Sequence, residues 1–136
     1  MADELLIPIA ADTDVVTARQ RGRELAAQAG FSSGDQTVIA AAISEIARNI
    51  LSYAKQGEVA ISVVTNGDRR GVVIVARDQG PGIRDVARAL EDGYSTSGGL
   101  GLGLPGARRL MDDFDVVSSV GQGTTVTMKK WRRANA

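Results

Sequence analysis

The sequence predicts an α+β fold in which strands pair as antiparallel hairpins and the helices are segregated onto one face of the sheet. Three observations carry this expectation. The elements read in order as β, α, α, β, β, α, α, β, β, so that strands next to each other in sequence can pair directly. The segment Val38 to Leu51 keeps apolar residues at helical spacing for four turns. Asn66-Gly67-Asp68 and Gly121-Gln122-Gly123 are turn signals between strand-like runs.

Glu4 to Ala10 is rich in leucine and isoleucine, and Pro8 marks it as an edge strand, because proline has no N–H to give to a ladder. From Asp12 or Thr13, either a suitable N-cap, a helix runs to Ala29. Its apolar positions are Val15, Val16, Ala18, Leu25 and Ala26; Gly22 weakens it and Gly30 stops it. The next helix opens on Ser33, with Gln36 three residues later in the form of a capping box. It carries Val38, Ile39, Ala42, Ile43, Ile46, Ala47, Ile50 and Leu51 and ends near Lys55, before Gly57. Strands Glu58 to Thr65 and Gly71 to Ala76 follow, joined by a longish turn. A helix is expected between two glycine-rich loops. Another begins near Leu104-Pro105, where the proline suits a first turn, with Leu104, Ala107, Leu110, Met111 and Phe114 on its apolar face. Asp115 to Ser119 and Thr124 to Trp131 form the last hairpin, and Lys129, Lys130, Arg132 and Arg133 read as a solvated basic tail.

Composition bounds the function. At 136 residues and 43% hydrophobic side chains, residues 1–136 are expected to form one domain. Sixteen basic and sixteen acidic residues cancel, so bulk charge offers no footprint for nucleic acid or an anionic membrane. Without cysteine there is no disulfide, thiolate metal site or cysteine nucleophile. Without histidine the commonest general base is missing, and so is any phosphohistidine within the chain. No apolar run is long enough for a transmembrane helix, and MADELLIPIA lacks the basic start and cleavage site of a signal peptide, so a cytoplasmic protein is expected.

The chemistry concentrates in the stretch from Asp78 to Arg109. Half of the chain's 16 glycines fall between Gly80 and Gly106. Such a density reads as loop held around a ligand, because glycine costs backbone entropy and offers nothing to bury. Leucines interleaved with glycines, as in Gly99-Leu100-Gly101-Leu102-Gly103, distinguish it from a polar linker. Glycine loops feeding helix N-termini present N–H groups to anions, so a phosphate-bearing ligand is the first expectation, although no P-loop lysine follows. Upstream, Glu45 and Asn49 stand four apart on one helix face, at the margin of its apolar stripe. Alone, that pair is more often an ordinary solvent-facing pair. With Asp78 at the end of an apolar strand, it makes a different sum. The carboxylate can accept from an exocyclic amine, and Gly80 and Gly82 let a flat base such as adenine approach the backbone. The Asn49 amide oxygen can join a Mg²⁺ shell, and Glu45 can orient or deprotonate the attacking oxygen. Together these residues describe an ATP site without a P-loop.

The same motifs resemble the Bergerat-fold ATPases and kinases, whose fold is a two-layer sandwich with a glycine-rich ATP lid. Glu45-Ile46-Ala47-Arg48-Asn49 looks like the N-box and Asp78-Gln79-Gly80-Pro81-Gly82 like the first glycine box. Gly98-Gly99-Leu100-Gly101-Leu102-Gly103 looks like the second, and Gly123-Thr124-Thr125 like the final glycine-threonine motif. The resemblance implies that Asn49 holds Mg²⁺, Asp78 binds the adenine amine, Gly98 to Gly103 form the lid, and Thr124 helps bind adenine through water. With no histidine and no transducer domain, the chain is most similar to the small switch kinases of bacterial partner-switching pathways, on the stressosome branch. That likeness implies phosphorylation of serine or threonine on STAS-domain partners (RsbS-like and RsbR-like). It also implies activation, by binding, of a PP2C-type phosphatase (RsbU-like). An anti-sigma factor that sequesters a sigma factor would share the same motifs and stays open as an alternative.

Overall fold

The computed structural model describes residues 4–82 and 103–132. Five antiparallel strands form one sheet in the order β1-β2-β3-β5-β4. They are β1 (Glu4–Ile9), β2 (Gly57–Asn66), β3 (Arg69–Asp78), β4 (Asp113–Ser119) and β5 (Gly123–Trp131). Three described helices, α1 (Asp12–Gln28), α2 (Ser33–Tyr53) and α3 (Gly103–Leu110), accompany it. The α+β expectation holds, with β1 at an edge as Pro8 requires. The helix expected between the glycine loops lies outside the described residues.

The core lies between the helices and one face of the sheet. Strand alternation sends Ile7 and Ile9, Val59 and Ile61, Val72, Ile74 and Ala76, and Val126 and Met128 to that face. α2 meets them with Ile39, Ile43, Ile46 and Ile50, all buried. Each such side chain contributes about 2 kcal/mol by leaving water, which is what holds α2 across the sheet. Gly22 is buried in α1 where an added Cβ would press on the side chains of Ile43 and Ile61. The glycine that weakens α1 locally is therefore what lets it pack closely on α2 and β2. Val16, placed with the apolar positions of α1, is 42% exposed instead.

Several element ends differ from expectation. α1 is capped at Ala11, not Asp12 or Thr13: Asp14 Oδ2 accepts from the N–H groups of Ala10 at 2.9 Å and Ala11 at 3.0 Å. At its other end Gly30, at φ +90, closes a Schellman motif through Gly30 N–H to Ala27 O and Phe31 N–H to Ala26 O, both 3.0 Å. α2 is capped by Ser32, whose Oγ accepts from Asp35 N–H at 3.2 Å. Gln36 Nε2 donates to Phe31 O at 2.9 Å, so no capping box forms on Ser33. The β2–β3 turn is tight: Asn66 pairs with Arg69 and only Gly67-Asp68 lie between, with Gly67 at φ +64. Phe114 belongs to β4, since α3 ends at Leu110. Lys130 Nζ donates to Leu110 O at 3.2 Å and sits 3.8 Å from Asp112 Oδ1. Lys129 and Lys130 are thus part of β5 and not a solvated tail. Arg132 lies against Gly30; Arg133 is outside the described residues.

Candidate functional site

Pairing of β3 with its neighbours builds one cross-strand row at the end of the sheet. Gly57 pairs with Asp78, Asp78 with Thr124, and Thr124 with Ser118. Because strand faces alternate, these positions share the helix-covered face with Ala76 and Val126. A Cβ on Gly57 would meet Arg77 O and, at 2.8 Å, Ile50 Cγ2. Ile50 follows Asn49 in α2, so the second half of α2 passes over the row that holds Asp78.

The Asp78 carboxylate is fixed by its own loop. Oδ1 accepts from Gly80 N–H at 2.9 Å, an Asx turn that carries the chain off the end of β3. Gly80 and Gly82, assigned from sequence to the approach of a flat base, first serve protein contacts. A Cβ on Gly80 would stand 2.6 Å from Ala54 Cβ at the end of α2. Gly82, at φ +79, lies against the Ser119 carbonyl, and Gly123, at φ +86, against the Asp78 carbonyl. Gly121 N–H donates to Pro81 O at 2.8 Å. The first glycine loop is thus keyed between α2 and the β4–β5 turn, and the glycines permit the fit.

Thr124 is buried at 8% exposure, and its hydroxyl lies 2.8 Å from Ser118 Oγ. Ser118 in turn donates to Gly123 O at 3.0 Å. On α2, Glu45 and Asn49 are both half-buried on one face. Glu45 Oε1 accepts from Arg48 Nη1 at 3.2 Å, with the Glu45 side chain 12% exposed and that of Arg48 55%. The Asn49 amide makes no hydrogen bond among the described residues, so its oxygen is available to a cation. An amide oxygen is a hard donor of the kind Mg²⁺ takes alongside phosphate and water. Among the described residues no group of three His, Cys, Asp or Glu gathers into a metal cluster.

Of the second glycine box, Gly103 opens α3, while Gly98, Gly99, Leu100, Gly101 and Leu102 lie outside the described residues. Two residues that the sequence reading did not single out stand in this cluster. Arg48 holds Glu45, and its place inside the N-box pattern was a usable signal. Ser118 is revealed only by the β4–β5 register. Among the described residues no helix is long and apolar enough to cross a membrane.

Comparison with known proteins agrees with this fold. The family model described as histidine kinase-like ATPase domain matches residues 9–130. The chain is 49% identical over 133 residues to the serine/threonine-protein kinase RsbT of Bacillus subtilis (strain 168), covering 98% of this chain and all of that one (100%). It is 33% identical over 112 residues to the anti-sigma F factor of Geobacillus stearothermophilus, covering 76% of this chain and 75% of that one. Among solved structures, a mycobacterial sensor histidine kinase, MprB, superposes with a TM-score of 0.53 at 15% identity, over 98% of this chain and 100% of that chain, which speaks for the fold. Four motifs in order, a five-stranded antiparallel sheet under helices, and full-length identity to a kinase of this kind converge: the chain belongs to the histidine kinase-like ATPase domain family and, within it, to the serine/threonine-protein kinases of the RsbT type.

Proposed function

We propose that this kinase serves a bacterial partner-switching pathway of the stressosome kind. It transfers the γ-phosphate of Mg·ATP to a serine or threonine of STAS-domain antagonists (RsbS-like and RsbR-like). Once released, it activates a PP2C-type phosphatase (RsbU-like) by binding it. ATP binding goes with membership of the ATPase family. The observation that carries the site assignment is the row Asp78, Thr124, Ser118 lying beneath the second half of α2, the helix that presents Glu45 and Asn49.

In this reading Asp78 and Thr124 receive the base amine, and the N-terminus of α3 at Gly103 offers backbone N–H groups to phosphate. Asn49 Oδ1 would hold Mg²⁺, which supplies neutralisation of phosphate charge when bound. Glu45 accepts the proton of the acceptor hydroxyl as its oxygen bonds to the γ-phosphorus and the bond to the ADP oxygen breaks. Arg48 keeps the Glu45 carboxylate in one orientation through their ion pair. Since the chain has no histidine, no phosphohistidine forms within it.

Two substitutions separate the parts. Glu45→Gln retains ATP binding in a calorimetric titration and lowers transfer at least about a hundredfold, the scale of a lost general base. Asp78→Asn loses ATP itself. An active Glu45→Gln enzyme would remove Glu45 from the mechanism. The anti-sigma reading draws on the similarity to anti-sigma F factors. It takes second place because those matches cover about three quarters of this chain at roughly 30% identity, against 49% over 98% for the kinase. Co-purification with a sigma subunit, and no competition from a STAS protein, would reverse that order.

A further inference from the structure

We propose that the exposed face shared by α1 and α2, carrying Val16, Arg19, Arg23 and Arg48, is the docking surface for the acceptor protein, which meets it with an acidic patch beside its acceptor hydroxyl. The inference rests on the reading of Glu45 as the group that receives the acceptor's proton.

The charges of the molecule point to this face. Arg48, Arg77 and Lys130 each stand beside a carboxylate, Glu45, Glu58 and Asp112 in turn. Arg19 and Arg23 are exposed and have no ion pair or hydrogen bond among the described residues. Val16, Arg19 and Arg23 stand at i, i+3 and i+7, which is one face of a helix. That face borders α2. Gly22 lies against Ile43 of α2, so Arg19, nearly one turn before it, and Arg23, the next residue, emerge beside the line where the two helices meet. Val16, 42% exposed where helical spacing alone would bury it, adds an apolar contact on the same side. Arg21 is about 200° around α1 from both Arg19 and Arg23, on the opposite flank with Glu24.

α2 completes the surface. Its exposed residues Thr37, Ala41 and Ser52 are small and uncharged, which lets a partner come close to the helix, and Arg48 stands among them. Arg48 gives one N–H to Glu45 at 3.2 Å, and its side chain is 55% exposed, so the rest of its fork is open to a carboxylate from outside. A partner that lays its hydroxyl at Glu45 must therefore pass three guanidiniums, which attract an acidic surface and repel a basic one. The face is one 17-residue helix long, about 25 Å, and two helices wide. That extent belongs to the small, transient end of protein contacts, as release after transfer requires.

The test measures transfer from Mg·ATP to a purified STAS-domain acceptor, with KM for the acceptor and kcat read separately and ATP affinity taken by titration calorimetry. Reversing both charges, Arg19→Glu with Arg23→Glu, raises KM for the acceptor at least about tenfold and leaves kcat at saturation and ATP affinity unchanged. Salt raises the wild-type KM and lowers that of the reversed variant, because screening weakens attraction in one and repulsion in the other. Arg21→Glu, the same charge change on the opposite flank, alters KM by less than about threefold. Should the double reversal not fold, Arg19→Gln with Arg23→Gln is read the same way, with a smaller rise. An acceptor KM unchanged in the double variant, or raised to the same extent by Arg21→Glu, overturns the proposal. So does a loss of ATP affinity, which would give the arginines to the nucleotide, or a changed molar mass of the free kinase in light scattering, which would give the face to a second copy. No label with the wild-type chain removes the kinase reading and this surface with it; label with an unchanged KM in the double variant removes the surface alone.

Discussion

Gly82 illustrates how much of this site is decided at single residues. Its φ of +79 already disfavours any other residue, and a Cβ would drive into the backbone of Ser119, which cannot move without opening the β4–β5 turn. Gly82→Ala is expected to cost about 2 kcal/mol of stability and to weaken ATP binding, because the displaced loop is the one that orients Asp78. Gly67→Ala is the control. It shares the positive φ, at +64, but has nothing within 4 Å to strike, so it should cost about 1 kcal/mol and leave ATP binding alone. Urea unfolding and a nucleotide titration on both variants check this. At this scale the sequence is informative where residue type and spacing carry the message. Glu45 and Asn49 share a helix face by arithmetic, and Asp78 follows an apolar strand. Ser118 carries no such mark, because a serine in an edge strand reads as solvent-facing until the register sets it beside Thr124.

Elements were legible in their interiors and misread at their ends. The periodicity of α2 from Val38 to Leu51 depends on many residues and survives in the structure. Its start depends on which of two neighbouring serines turns its hydroxyl inward, and that is Ser32. Ser32→Ala should therefore destabilise the protein by about 1 kcal/mol, whereas Ser33→Ala, one place into the helix, should cost a few tenths at most. Equal losses in thermal unfolding would contradict the cap assignment. The end of α3 was hidden for a different reason. Leu110, Met111 and Phe114 fit a helical face, but Lys130 reaches across to cap Leu110 O, and Asp112 Oδ2 accepts from Trp131 N–H at 2.7 Å. These contacts come from β5, and no local pattern announces them.

For the whole molecule, hairpins could be read from turn signals but their arrangement could not. Two hairpins and an edge strand admit several sheets. The observed order puts β3 beside β5 and so joins Asp78 to Thr124 from opposite sides of the glycine-rich stretch. That long-range pairing brings the first glycine box and the final glycine-threonine motif together, with α2, which carries Glu45 and Asn49, laid over the sheet by its isoleucine stripe. Which protein docks against such a site is written in surface chemistry outside those motifs. The most direct test of the kinase reading is transfer of labelled γ-phosphate from Mg·ATP to a purified STAS-domain partner from the same genome neighbourhood, with the acceptor residue mapped and Glu45→Gln run alongside. Label on a partner serine or threonine, absent with Glu45→Gln, is the predicted result. ATP bound by the chain with no label on that partner would contradict it and turn the search to sigma factors.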